Sequence, residues 1–208
     1  MRKKYIILLL LFLLQGCSSP VPSGEDYTEI NVSGEPIQIP LKNVEPMTIE
    51  GKDYSFTISP LTSYKISAMV AGKKFYSSGW QAKVSPVDLA LAWGKLAEPE
   101  YDTYITYSQS DRWYFYEYKH GSPFTNPYVI NHSSNNHVIP AADNILSAIK
   151  TIKKKERITL EGYLVHVHGR YQGGPFWWRS SLTRSDTGDG SCEVFYVTKI
   201  RVGNKIYE

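Results

Sequence analysis

His166 and His168 stand two residues apart in a stretch that reads as one long strand from Arg157 to His168. On a strand that spacing puts both rings on the same face at about 7 Å, a separation one divalent metal can bridge. With His137 or His132 as a third ligand the set would serve a metal-assisted hydrolase. Ile158, Leu160 and Leu164 share the same strand face, and its end near Gly169 reads as wet, so solvated histidines are the weightier expectation. A second set is aromatic: Trp113 and Phe115 fall on one face of a strand, Tyr114, Tyr116 and Tyr118 on the other, and Trp177-Trp178 adds a pair one hairpin away. Core packing takes one face of each strand and leaves the other as a shelf able to stack on a sugar ring or on a partner's side chains. Asn135, Asn136 and His137 lie in a polar stretch that reads as a connection between a strand and a helix, where such side chains brace a turn or recognise a ligand. The candidate binding residues are therefore Asn135, Asn136, His137, Tyr114, Tyr116, Tyr118, Trp177 and Trp178.

Asp186-Thr187-Gly188 carries the letters of the aspartic-protease motif, but that chemistry needs two carboxylates sharing a proton, and only one such triplet occurs. Thr183-Arg184-Ser185 precedes it in place of an apolar strand, so the Asp- and Gly-rich stretch reads as a hairpin turn. The spacing of Asp186 and Asp189 is not that of an EF-hand calcium loop. Cys192 with His137 as its base would make a nucleophile. Cys192, Val194 and Tyr196 share a strand face that continues to Ile200 and Val202, which favours a small buried hydrophobe instead. No catalytic residue is assigned, and no metal or organic cofactor is expected.

The chemistry at the amino terminus is more specific. Arg2, Lys3 and Lys4 precede an apolar run from Tyr5 to Leu14, the order of a secretory signal. About ten apolar residues are too few to span hydrocarbon, which takes roughly 20. The run ends in Leu14-Gln15-Gly16-Cys17, which resembles the lipobox of bacterial lipoproteins: an aliphatic residue at minus three, a small one at minus one, then cysteine. That resemblance implies cleavage after Gly16, covalent lipid on Cys17 and a membrane partner reached through the acyl chains, each buried methylene contributing about 0.8 kcal/mol. By the same resemblance Ser18 implies the outer membrane, facing the periplasm.

Removing residues 1–16 takes three of the 23 basic residues and none of the 20 acidic ones, so the mature chain is balanced at 20 of each. Without a basic surplus there is no electrostatic footprint for a phosphate backbone, and nucleic acid is not an expected partner. Cys192 is the one cysteine left after lipidation, so the fold must rest on burial rather than on a disulfide within the chain.

The elements that must position these residues are mostly strands. Residues 17–26 are rich in Ser, Pro and Gly and read as a flexible tether, followed by a single β-rich domain over 27–208. Strands are expected at Tyr54 to Ile58, Tyr64 to Val70, Tyr104 to Tyr107, Trp113 to Tyr118 and Arg157 to His168, with a turn at Gly72-Lys73. Trp177 to Thr183 is expected to pair with Cys192 to Val202. Two helices interrupt the pattern: one opening at Ser85-Pro86 and running through Leu96, the other from Ala141 to Ile152. A mostly β, α+β domain follows, either one antiparallel sheet or a small barrel of the OB or SH3-like type, the barrel being suggested by a helix set between two strands.

Several clusters, Asp88 to Gly94, Gln109 to Tyr114, Asn135 to Ala141, Gly162 to Val165 and Ser180 to Glu193, together resemble an uncharacterised family of bacterial membrane-associated proteins over roughly Lys83 to Val202. The resemblance implies an envelope location and no particular activity. The expected function is a non-enzymatic binding or structural role at the envelope, toward a protein partner or a glycan, with the histidine-based hydrolase as the alternative.

Overall fold

The computed structural model describes residues 19–188 and 190–208. Cys17, its lipobox and the signal run lie outside the described residues, as does Asp189. In chain order the strands and helices are β1 (Gly24–Glu25), β2 (Ile37–Pro40), β3 (Met47–Gly51), β4 (Tyr54–Phe75), α1 (Gly79–Val84), β5 (Val87–Ala92), β6 (Ile105–Ser110), β7 (Trp113–Tyr118), α2 (Asn126–His132) and β8 (Ser133–Pro140). They continue with α3 (Asp143–Thr151), β9 (Arg157–Tyr171), β10 (Gly174–Arg179), β11 (Glu193–Val202) and β12 (Lys205–Tyr207). The mostly β, α+β fold expected from the periodicity is the one the chain adopts.

Five strands close a ring. β4 pairs with β5, β5 with β8, β8 with β11, β11 with β9, and β9 returns to β4. All these pairs are antiparallel except β8 with β11, which is parallel and makes the sheet mixed. Numbered within the ring, the order is 1-2-3-5-4-1 with α3 between the third and fourth strands, the topology of an OB-type barrel. Alternate residues point inward: Tyr64, Ile66, Leu89, Leu91, Val138, Leu164 and Phe195 fill the interior, while Ile145, Ala148 and Ile149 of α3 close one end. Each such aliphatic side chain contributes about 1.5–3 kcal/mol by leaving water.

Two layers cover the outside of the ring. The β6–β7 hairpin lies over β4 and β5, where Ala71, Ala90 and Ala92 are small enough to admit Ile105 and Tyr107. Beyond the ring, the first half of β4 and the last half of β9 continue as a four-stranded extension with β3 and β10 at its edges. Its apolar face, carrying Phe56, Ile58, Val165 and Val167, packs on Ile139 and Val194 from the outer side of β8 and β11. The strands cross closely enough to need glycine at two points. A β-carbon on Gly162, whose φ is +157°, would meet the Tyr196 carbonyl oxygen, and one on Gly169 would meet that of Ser55, each at 2.0 Å.

Several expectations are corrected. The run Val87 to Leu96 is a strand followed by a 3-10 turn, not a helix. β5 is covered inside by the barrel core and outside by the hairpin, so all six of its residues are buried, and a strand apolar on both faces loses the alternation that would reveal it. Gly72-Lys73 is not a turn: β4 runs through it as one 22-residue strand with bulges near Leu61 and Ala71. β10 pairs with β9 rather than with β11, which leaves Ser180 to Cys192 as a loop. Three α-helices are present among the described residues, since α1 and α2 accompany α3. The expected tether is tied down from Val21 onward. The Val21 backbone exchanges hydrogen bonds with the Asn144 side chain at 2.8 and 2.9 Å, and β1 pairs with β12.

Candidate functional site

The outer side of β5 and β8 places Asp88 directly across from His137. Asp88 is fully buried, and a carboxylate out of water needs donors. Its Oδ1 accepts from Arg112 Nη1 at 2.7 Å and from His137 Nδ1 at 2.9 Å, while Oδ2 has no partner among the described residues. Arg112 also donates to the Ser85 carbonyl at 3.0 Å, and its guanidinium lies 3.8 Å over the Tyr76 ring. Local backbone chemistry explains how Arg112 arrives there. Asp111 and Arg112 form the two-residue turn between β6 and β7 with φ of +50° and +71°, the positive values of a type I′ turn, usually left to Asn or Gly. The buried ion pair with Asp88 fixes the turn's tip against the barrel.

The same β8 face holds Asn135, opposite Ala90. Its amide donates to the Arg112 carbonyl at 2.9 Å and accepts from Gln109 Nε2 at 2.9 Å, so hairpin and barrel are joined by polar as well as apolar contact. Where β8 and β11 begin, at the barrel's rim, the loop from Ser180 to Cys192 folds back on itself through Ser181 Oγ and Asp186 Oδ2, 2.7 Å apart. From this loop Arg184 reaches Glu193, which faces inward beside Asn136 and is only 1% exposed. Burial pushes the Glu193 carboxyl above the ordinary carboxylate range, against the pull of Arg184. The Cys192 thiol is pushed up to about 12, again by burial and then by Glu193.

Between the hairpin, β8 and this loop lie two adjoining cavities of about 190 and 280 Å³ that share Trp113, Gly188 and Cys192. Tyr114, Tyr116, Asn135, Arg184 and Glu193 line the smaller. Gln81, Arg112, His137, Trp178 and Arg179 line the larger, and Trp178 is held from behind by Trp80, which meets it edge-on and stacks on Phe176 at 4.0 Å. Aromatic walls with a few placed polar groups are the composition of a small-ligand site.

Of the residues selected from sequence, Tyr114, Tyr116, Asn135, His137 and Trp178 meet at this cleft. They do so from a strand, not a connection, because Asn135 to His137 lie inside β8. Asn136 points into the barrel, donating to Ser134 Oγ at 3.0 Å. Tyr118 bonds Asn126 outside the cleft, and Trp177 is 68% exposed on the other face of the extension. His166 and His168 share that face, paired with Arg179 and Trp177, whereas His137 packs against Trp178 on the opposite one at 4.4 Å. The three histidines of the hydrolase expectation therefore do not converge. Among the described residues no group of three His, Cys, Asp or Glu side chains is placed to hold a metal ion. Sequence reading missed Asp88, Arg112, Arg184 and Glu193. Asp88 in an otherwise apolar run, Val87 to Trp93, was the available signal for the first of these.

No protein family, curated protein or solved structure matches the chain.

Proposed function

We propose that this chain is a lipoprotein of the cell envelope, anchored through lipid on Cys17 to the outer membrane on its periplasmic side, and that it binds an envelope glycan without chemical conversion. The single observation that carries the binding reading is the cleft between β7, β8 and the 180–192 loop. Its Trp113, 37% exposed, offers an aromatic surface, and Gln81 and Arg179 offer polar groups at its edges, the pairing of stacking and hydrogen bonding that a hydroxylated ring requires. Its position supports the same reading: in the ring order it lies on the third strand, beside the hairpin that covers the second, and on the loops following the first and fourth, close to where barrels of this topology take oligosaccharides or oligonucleotides. The balanced charge of the mature chain turns that choice away from nucleic acid.

The test is co-sedimentation of the lipidated protein, held in detergent micelles, with purified insoluble peptidoglycan. The protein is expected to pellet with the glycan, and Trp113→Ala to leave most of it in the supernatant while its unfolding midpoint stays near that of the parent. A parent protein that stays soluble while chemical crosslinking in intact cells traps it on another protein through the cleft would replace the glycan with a protein partner.

A further inference from the structure

Glu193 is an expensive residue in its position. It opens β11 facing the barrel interior at 1% exposure, one carboxylate oxygen engaged by Arg184, while Oε2 has no partner among the described residues. A buried acceptor left unmet is rare in native proteins and calls for a reason. Here the residue lines the smaller cavity, with Asn135 and Ser134 beside it and Trp113 and Tyr114 as apolar walls. A cavity of about 150 Å³ accepts one benzene ring, so about 190 Å³ has room for a single six-membered ring and not for two.

We propose, building on the glycan reading, that this cavity is an end pocket: it holds the terminal sugar ring of the glycan, and a hydroxyl of that ring donates to Glu193 Oε2. The chemistry selects the ring. Among the described residues Glu193 and Asp186 both line the cavity against one cation, Arg184, so a uronic acid or phosphorylated ring meets excess negative charge, while a neutral ring with free hydroxyls meets an acceptor already desolvated. The geometry selects the end. The Arg184–Glu193 pair and Tyr64 behind it close the floor at the barrel mouth, and the way out runs past Trp113 and Cys192 into the larger cavity, where the following rings would lie.

The experiment is a tryptophan-fluorescence titration of the lipidated protein in micelles with an N-acetylglucosamine tetramer and with the same tetramer O-methylated on its terminal ring. The methylated probe is expected to bind the parent about tenfold to a hundredfold more weakly, the range for a hydrogen bond to a charged group. Glu193→Gln is expected to bind the free tetramer more weakly by a similar factor and to discriminate less between the two probes, with thermal unfolding reporting whether the variant is folded. Equal binding of both probes to the folded parent overturns the end pocket. If Trp113→Ala still abolishes binding in that case, the cleft reading stands without it; if Trp113→Ala also binds as the parent does, the cleft reading fails too.

Discussion

At the scale of single residues, the cleft is held by charges that water does not reach. Asp88 takes two donors on one oxygen, and removing it strands Arg112, whose side chain is only 14% exposed. Asp88→Ala is expected to cost about 3–5 kcal/mol in urea unfolding, the usual cost of orphaning one member of a buried pair. Glu193 makes its own prediction through pH. Its folded-state carboxyl is raised above the ordinary 4.5, so the folded chain holds a proton that the unfolded chain has released, and this contribution to stability is lost as pH rises through that window. Urea midpoints followed upward from pH 4.5 are expected to fall less steeply for Glu193→Gln than for the parent. Cys192 supplies a third. With its thiol pushed up to about 12, it is expected to resist iodoacetamide at pH 8 in the folded protein and to react once denaturant is added. Prompt labelling of the folded chain would reopen the nucleophile expectation.

At the scale of elements, what the sequence reveals depends on how many faces of a strand meet water. β7 and most of β9 alternate and are legible; β5 does not, because hairpin and barrel bury it from both sides. The Ser180 to Cys192 loop reads as half a hairpin since Trp177 to Leu182 has strand-like residues, yet β10 is already paired to β9 through the Gln172-Gly173 turn. The same logic applies to the site. Its aromatic and Asn135 components can be picked from residue type, while Arg112 and Glu193 become visible only when a type I′ turn and a parallel strand pair bring them to Asp88 and Arg184. Close strand crossing gives the prediction at this scale. Gly162→Ala pushes a β-carbon onto the Tyr196 backbone where β9 meets β11 and is expected to destabilise by about 1–3 kcal/mol or more. A neutral result in urea would mean that the bulge near Thr198 absorbs the added carbon.

At the scale of the whole molecule, the barrel is a rigid frame with one end closed by α3 and the other by a loop that lines the cleft. Lys73 strengthens the closed end by donating to the carbonyls of Ile149, Lys150 and Ile152 at 3.0, 2.9 and 2.5 Å, a cation at a helix C-terminus where the macrodipole favours it. The amino-terminal segment docks beside that same end, on α3 and β12, so an anchor at Cys17 would tether the chain there. Cys17→Ala is expected to move the protein from the membrane fraction to the soluble periplasmic fraction. The central claim is that the cleft binds an envelope glycan, and equilibrium titration of the lipidated protein with soluble glycan strands released from peptidoglycan tests it most directly. Saturable quenching of tryptophan fluorescence, weakened by Trp113→Ala and by Arg179→Ala, is the result expected; a flat titration with a folded protein at millimolar glycan would contradict it.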